Sequence, residues 1–308
     1  MINRSIILGL RYTLIFFILL TQIIDAEGQP VDGKKHKFVQ IAEFEAPEAN
    51  QAVGVDNSYF YAIDNTKIAK YDKKTGKKVA VWEGSKVTFK KLPNGEQRLE
   101  KGGPIIHLDS AVFVDGLLYC AHSNYPIWPM TSSIEIWDPN SMKHIKNYSF
   151  GILFGSFTWL DRYNGYWWGG FANYDQPYGE GGGLYGNKRN TKIVKMNNEW
   201  QIIESWILPD ELLEKFEKMS NSGGSWGPDG FLYLTGHDPA EVYRCKLPEA
   251  GSIIEVLETI PLNIRGQGIA WDRSEPGIIY GIIRANSQEK AAGKTHRVTV
   301  SKLVEIKE

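Results

Sequence analysis

The stretch Ser110–His122, SAVFVDGLLYCAH, decides the fold. It reads as an apolar strand, a turn on Asp115-Gly116, then a second apolar strand carrying Tyr119. The phrase recurs as QAVGVDNSYFYAI from Gln51, SFTWLDRYNGYWWGGF from Ser156, GSWGPDGFLYLTGH from Gly224 and QGIAWDRSEPGIIYGII from Gln267. The turn carboxylates Asp56, Asp115, Asp161, Asp229 and Asp272 are spaced 59, 46, 68 and 43 residues apart. A self-similar unit of about 40 to 50 residues, rich in short strands, is the signature of a β-propeller.

Working outward, each unit continues into a third and a fourth strand. Thr66–Glu83, Ser132–Phe150, Thr191–Leu208 and Ala240–Leu262 alternate apolar and polar residues about a central turn, as half-buried hairpins do. The last unit has only Val298–Ile306 left and lacks a fourth strand. The unassigned strand from His36 supplies it and closes the ring, which removes two sheet edges. The expectation is an all-β propeller of five blades. A sixth is possible if Val87–His107 is a blade rather than an inserted hairpin. One helix is expected over Glu211–Met219, where Leu212, Leu213, Phe216 and Met219 fall at helical spacing behind Pro209.

The whole chain, 308 residues with 42% hydrophobic and 23% charged, suits one soluble globular domain. A net charge of −1, with no long basic run, argues against nucleic acid or an anionic membrane as partner. Arg4 and Arg11 precede an apolar run, Tyr12–Leu20, extended by Ile23 and Ile24. This reads as a signal peptide over residues 1–26, with cleavage after Ala26, and residues 27–308 as the propeller. The run is short for a membrane span, so a secreted or periplasmic monomer with no further membrane insertion is expected. Cys120 and Cys245 fall in different blades and are read as free buried thiols. Asn147-Tyr148-Ser149 is the one glycosylation sequon considered in the mature part.

First strands start and second strands end on one face, so their flanks ring one mouth of the channel. These flanks are polar. Gln51, His107, Asp109, Ser110, Ser156, Asn221, Arg265 and Gln267 stand at the starts. Asp64, Asn65, His122, Asn124, Asn173, His237, Asp238 and Arg284 stand at the ends. His122, His237 and Asp109 are the acid–base candidates, because imidazole and carboxyl groups move protons near neutral pH. Arg265 and Arg284 would hold an anionic group, with Gln51, Gln267, Asn124, Asn173 and Trp128 as further contacts. His107 and Asn221 are the metal-ligand candidates, for calcium or zinc. No nucleophile elbow is present. The glycine-rich stretch Tyr174–Asn190 lacks the phosphate-loop order and reads as a loop, with Tyr174, Tyr178 and Tyr185 as stacking surfaces. The repeated Asp residues read as turn acceptors on the opposite face, and the repeated aromatics as inter-blade core.

Ser220–Asp238, SNSGGSWGPDGFLYLTGHD, and Gly266–Asp272, GQGIAWD, resemble NHL and regucalcin/gluconolactonase-type propellers. The motifs AVGVD, YCAHSNYP, PMTSS and SNSGGSWGPDG are similar to a secreted, cycloisomerase-like propeller group and span most of the mature chain. The lactonase resemblance implies a calcium-activated site of one Glu, two Asn-type ligands and one Asp, with Asn221 at one Asn position. That family's Glu-Gly-Pro start is absent, since unit one begins Glu48-Ala49-Asn50-Gln51. The expected function is a small-molecule site at the mouth of a lactonase, cycloisomerase or lyase acting on an acidic or sugar-derived compound. The alternative is a non-catalytic propeller that binds a glycan or a protein.

Overall fold

A computed structural model describes residues 33–93, 95–175 and 187–307. The signal-peptide expectation, and with it Tyr178 and Tyr185, lies outside the described residues. Five four-stranded antiparallel sheets form the blades of a propeller. Blade 1 is Ala52–Val55, Tyr59–Asp64, Lys67–Asp72 and Lys78–Glu83. Blade 2 is His107–Val114, Leu117–Ser123, Ser132–Asp138 and Lys143–Gly151. Blade 3 is Ser156–Tyr163, Tyr166–Ala172, Lys192–Met196 and Ile202–Ile207. Blade 4 is Gly223–Trp226, Leu232–Thr235, Glu241–Lys246 and Glu255–Pro261. Blade 5 is Ala270–Trp271, Ile278–Ile283 and Arg297–Glu305, completed by His36–Glu45.

The ring closes as the sequence suggests. His36–Glu45 runs antiparallel to the last strand, with His36 opposite Glu305 and Glu45 opposite Arg297. The His36 imidazole also meets Glu258 of blade 4 at 2.8 Å, which ties the closing strand to its neighbour. Thr88–Lys91 and Gln97–Lys101 pair only with each other, so the segment before blade 2 is an inserted hairpin and not a sixth blade. The helix spans Asp210–Lys215 and ends earlier than its apolar spacing suggests. Glu217 takes a φ of 53°, a left-handed residue that stops the spiral just after Phe216.

The core lies between blades. Tyr61, Trp168, Tyr233 and Tyr280 are buried, while Tyr119 is half-buried against Trp167 at 4.7 Å. Trp226 stacks on Tyr163 at 4.4 Å and meets Trp168 edge-on at 4.7 Å, joining blades 3 and 4. Cys120 and Cys245 are both free and buried. Turn carboxylates hold the face opposite the mouth. Asp56 accepts from the backbone N–H groups of Ser58 and Tyr59 and from the Tyr61 hydroxyl. Asp229 accepts from the Tyr233 hydroxyl at 2.8 Å and from Arg244. Asp161 does something else. It receives the Ser225 hydroxyl, the Trp226 N–H and Arg273, so it clasps blades 3, 4 and 5.

Candidate functional site

The mouth is built by strand pairing. His107 lies opposite Ser123, Ser156 opposite Ala172, and Gly223 opposite Thr235, so each first strand begins beside the end of the second. Hydroxyl groups lock neighbouring blades at this level. Ser123 Oγ meets Ser156 Oγ at 2.8 Å, Thr191 Oγ1 meets Ser220 Oγ at 2.6 Å, and Thr235 Oγ1 donates to the Gln267 carbonyl at 2.6 Å. Between blades 5 and 1 the join is main chain: the Gly268 N–H donates to the Gln51 carbonyl at 3.0 Å. A Cβ on Gly268 would stand 2.5 Å from Ala52 Cβ and 2.8 Å from Ser110 Cβ, so only glycine admits this approach. Gln51, Asp109 and Gln267 each precede one of those three residues in sequence. Their main chains therefore share one level of the channel, on the mouth side of the closest point.

The predicted polar residues divide into two groups. Several are fully occupied by the scaffold. Asn221 is completely buried; its Oδ1 accepts from Trp159 Nε1 at 2.6 Å, and its Nδ2 donates to the Gly223 and Thr235 carbonyls. That amide has nothing left for a metal, which corrects its assignment as a ligand. Asn124 bridges its own loop, accepting from Thr131 N–H and donating to the Pro129 carbonyl. Asn173 donates to the Phe154 and Asn190 carbonyls.

His122 also belongs to this first group. Its Nε2 accepts from the Ile106 N–H at 3.2 Å, and its Nδ1–H donates to Ser133 Oγ at 2.8 Å. Ser133 in turn donates to Glu135 at 2.6 Å, which fixes that tautomer. Burial, and then the nearby His144, lower its pKa to about 4. It is a neutral strut with no free nitrogen, which corrects its role as an acid–base group. Arg265 is held by Glu289 at 2.5 Å and donates to the Arg284 carbonyl at 2.9 Å. Hydrogen bonds from the Asn286 backbone and from Arg265 and Arg297 bring Glu289 down to about 2. Arg265 is thus a neutralised support for the strand that carries Arg284.

Trp128 is half-buried and packs with Tyr125 against Met130, Ala172 and Tyr174, so it is not an open shelf.

The second group stays available. Asp109 is 3% exposed, and no described residue hydrogen-bonds its carboxyl; Oδ2 is buried without a partner. His107 Nε2 lies 3.6 Å from that oxygen, with the imidazole ring 5.2 Å from the Tyr125 ring. Burial raises the Asp109 pKa well above the ordinary carboxylate value. Burial, then the charges of His122 and His237, lower His107 to about 3. Burial thus favours the uncharged form of each group, because dehydration penalises both ions.

His237 is near enough for its charge to bear on His107. His237 Nδ1 meets Asp238 at 2.7 Å. Arg284 lies against the His237 ring, donates to the His237 carbonyl at 3.0 Å and pairs with Asp238 at 2.9 Å. Burial, then Arg284, lowers the His237 pKa. Arg284 is four-fifths buried, but its partner Asp238 is 68% exposed, so an incoming anion has only a solvated carboxylate to displace.

Gly266 permits this arrangement. Its φ is 63°, and a Cβ there would fall 1.3 Å from the His237 carbonyl oxygen. Glu289 and His296 escaped the sequence reading, although Asn286 and Glu289 have capping-box spacing, and they do form that cap. His296 Nδ1 accepts from the Ala285 N–H, next to Arg284.

Among the described residues no three His, Cys, Asp or Glu side chains converge as metal ligands. With Asn221 consumed, these residues do not fit the calcium set that the lactonase resemblance implies.

No family model matches the sequence, and no curated protein matches it. Among solved structures the chain is similar to a luciferin-regenerating enzyme, at 13% identity over 87% of this chain and 97% of that one, with a TM-score of 0.52. It is also similar to the WD40 repeats of RRP9, at 9% identity over 90% and 99% with a TM-score of 0.41. A third is the hydrazine synthase of Kuenenia stuttgartiensis, at 10% identity over 83% of each chain with a TM-score of 0.43. The first likeness supports the propeller fold and nothing finer; the other two are too distant to add to it.

Proposed function

We propose that the mouth binds a small organic acid or its lactone, and that the chain is an acid–base enzyme for its isomerisation, elimination or ring opening. One observation carries the reading: a buried carboxyl, Asp109, has no hydrogen-bond partner among the described residues and sits 3.6 Å from the half-buried His107 imidazole at a strand-start mouth. Buried polar groups are nearly always paired, so an unpaired one at a concave site is a candidate functional group. In this reading Arg284, exchanging Asp238 for the ligand, holds the carboxylate. Asp109 delivers a proton while the neutral His107 accepts one. A carboxyl that burial makes a weaker acid and an imidazole that burial makes harder to protonate are suited to those opposite roles.

The glycan-binding alternative needs an exposed aromatic surface. Trp128, Tyr125 and Tyr174 instead pack among themselves and against Met130 and Ala172, which favours the small-acid reading.

The test is a thermal-shift and turnover screen of the purified protein against hydroxy acids, uronic acids and their lactones. Wild type is expected to bind and convert one class. Arg284→Met should lose binding, and Asp109→Asn should keep binding but lose turnover. A ligand that binds Arg284→Met as tightly as wild type would remove the anion-anchor role. Full turnover by Asp109→Asn would remove the proton role.

A further inference from the structure

Gln51 carries a second unpaired group at the same level of the channel. The residue is 7% exposed, and its Oε1 is buried without a hydrogen-bond partner among the described residues. Its other amide atom is fixed, because Nε2 donates to Asn65 Oδ1 at 2.8 Å. Asn65 itself is pinned: its N–H donates to Asp64 and its carbonyl accepts from Leu108 of blade 2. The main chain on either side is also held, with the Gln51 carbonyl receiving the Gly268 N–H. Oε1 is thus an acceptor held in place and left empty, on a residue whose main chain shares the level of Asp109.

Gln267 at that level is held in a costly conformation. It has a φ of 76°, unfavourable for a residue with a Cβ, and the Thr235 hydroxyl pins its carbonyl. Its side-chain amide has no hydrogen-bond partner among the described residues. A buried acceptor without a donor costs stability, which a ligand bearing the donor recovers.

We infer that Gln51 is a specificity-determining residue: it accepts a hydrogen bond from a hydroxyl on the substrate, so the site selects hydroxy acids over acids that lack the hydroxyl. The inference rests on the proposed reading, in which Arg284 holds the carboxylate. Gln51 does not join the chemistry; it discriminates. A pocket built to pair with a hydroxyl rejects the analogue without one strongly, because the pocket's own polar group is then left dehydrated and unpaired.

The experiment compares matched acids by isothermal titration on the full mature chain. Butyrate is set against 2-, 3- and 4-hydroxybutyrate, with 2-oxobutyrate as an analogue that accepts but cannot donate. Wild type is expected to bind one hydroxybutyrate on the order of 100-fold more tightly than butyrate and 2-oxobutyrate. Gln51→Met, similar in shape and unable to accept such a bond, should bring that ratio to within a few-fold of one. It should do so by weakening the hydroxy acid while leaving butyrate unchanged.

If wild type binds butyrate and the hydroxybutyrates equally, and Arg284→Met abolishes both, the inference falls while the anion-anchor reading stands. If 2-oxobutyrate is preferred, the amide presents its N–H and the inference is overturned. If no acid binds, the reading and the inference fall together. The wild-type comparison needs no variant, so a Gln51→Met chain that fails to fold leaves the question decidable.

Discussion

Replacing His122 by Gln should flatten the acid side of the stability curve. Wild-type His122 is buried, donates to Ser133 and accepts from the Ile106 backbone, and its pKa falls from 6.5 in the unfolded chain to about 4. Between those values the unfolded state binds more protons than the folded state, so stability rises with pH and is lost as pH falls through the window. For this one group the loss between pH 7 and pH 5 is about 2 kcal/mol, at ~1.4 kcal/mol per pKa unit. Gln can accept from Ile106 and donate to Ser133 without titrating. The assay is urea unfolding followed by Trp fluorescence at half-unit steps from pH 7.5 to 5. His122→Gln starts from its own stability at pH 7, but its fall to pH 5 should be shallower by about 2 kcal/mol. Equal slopes in the two proteins would refute the claim that His122 is held neutral by burial.

Three further perturbations probe the scaffold. Asn221→Ala leaves Trp159 Nε1 without its acceptor in a site with no exposure and removes a donor from the Gly223 and Thr235 carbonyls, the latter still bonded to the Ser222 N–H; it should cost about 2 kcal/mol or more, read as a lower urea midpoint. Gly266→Ala places a Cβ on the His237 carbonyl. It should lower the Tm and release Arg284, so affinity for any acid that depends on Arg284 drops with it. Asp161→Asn keeps an acceptor for Ser225 and Trp226 but takes one from the Arg162 N–H and loses the charge opposite the part-exposed Arg273. It should cost about 1 kcal/mol, with a smaller loss at high salt.

The fold was legible because the repeat is local. Each Asp-turn-aromatic phrase lies within some 17 residues, and the closing strand follows from counting the strands that remain. The ring of polar residues was legible for the same reason, since strand starts and ends can be read along the chain. Their roles were not. Whether an amide binds a ligand or braces a joint depends on partners far away in sequence. Asn221 meets Trp159 62 residues earlier, and Arg265 meets Glu289 24 residues later. His122 reads as a free base until the Ile106 backbone, 16 residues before it, occupies its second nitrogen. The helix end was missed because apolar spacing runs on to Met219, whereas the left-handed Glu217 that stops it carries no sequence mark such as glycine.

Pairing sorts the mouth residues into braces and available groups, and this has a consequence for stability. Asp109 is the clearest case. Its pKa is raised by burial, so above the ordinary carboxylate range the folded state binds more protons than the unfolded state. Stability then falls as pH rises, the reverse of His122, and does so until the folded-state pKa is passed. Asp109→Asn removes the titration and keeps the shape. The variant should therefore be more stable than wild type, with an advantage that grows upward from pH 4 by as much as about 1.4 kcal/mol per pH unit. A bracing residue would behave in the opposite way, because losing its charge would break bonds that the fold needs. The measurement is the difference in unfolding free energy between the two proteins at pH 5, 6 and 7. An Asn variant that is less stable at all three would mean that Asp109 is a paired structural group. A widening gain, together with lost turnover, would mark a carboxyl whose isolation costs the fold stability and is kept for the chemistry at the mouth.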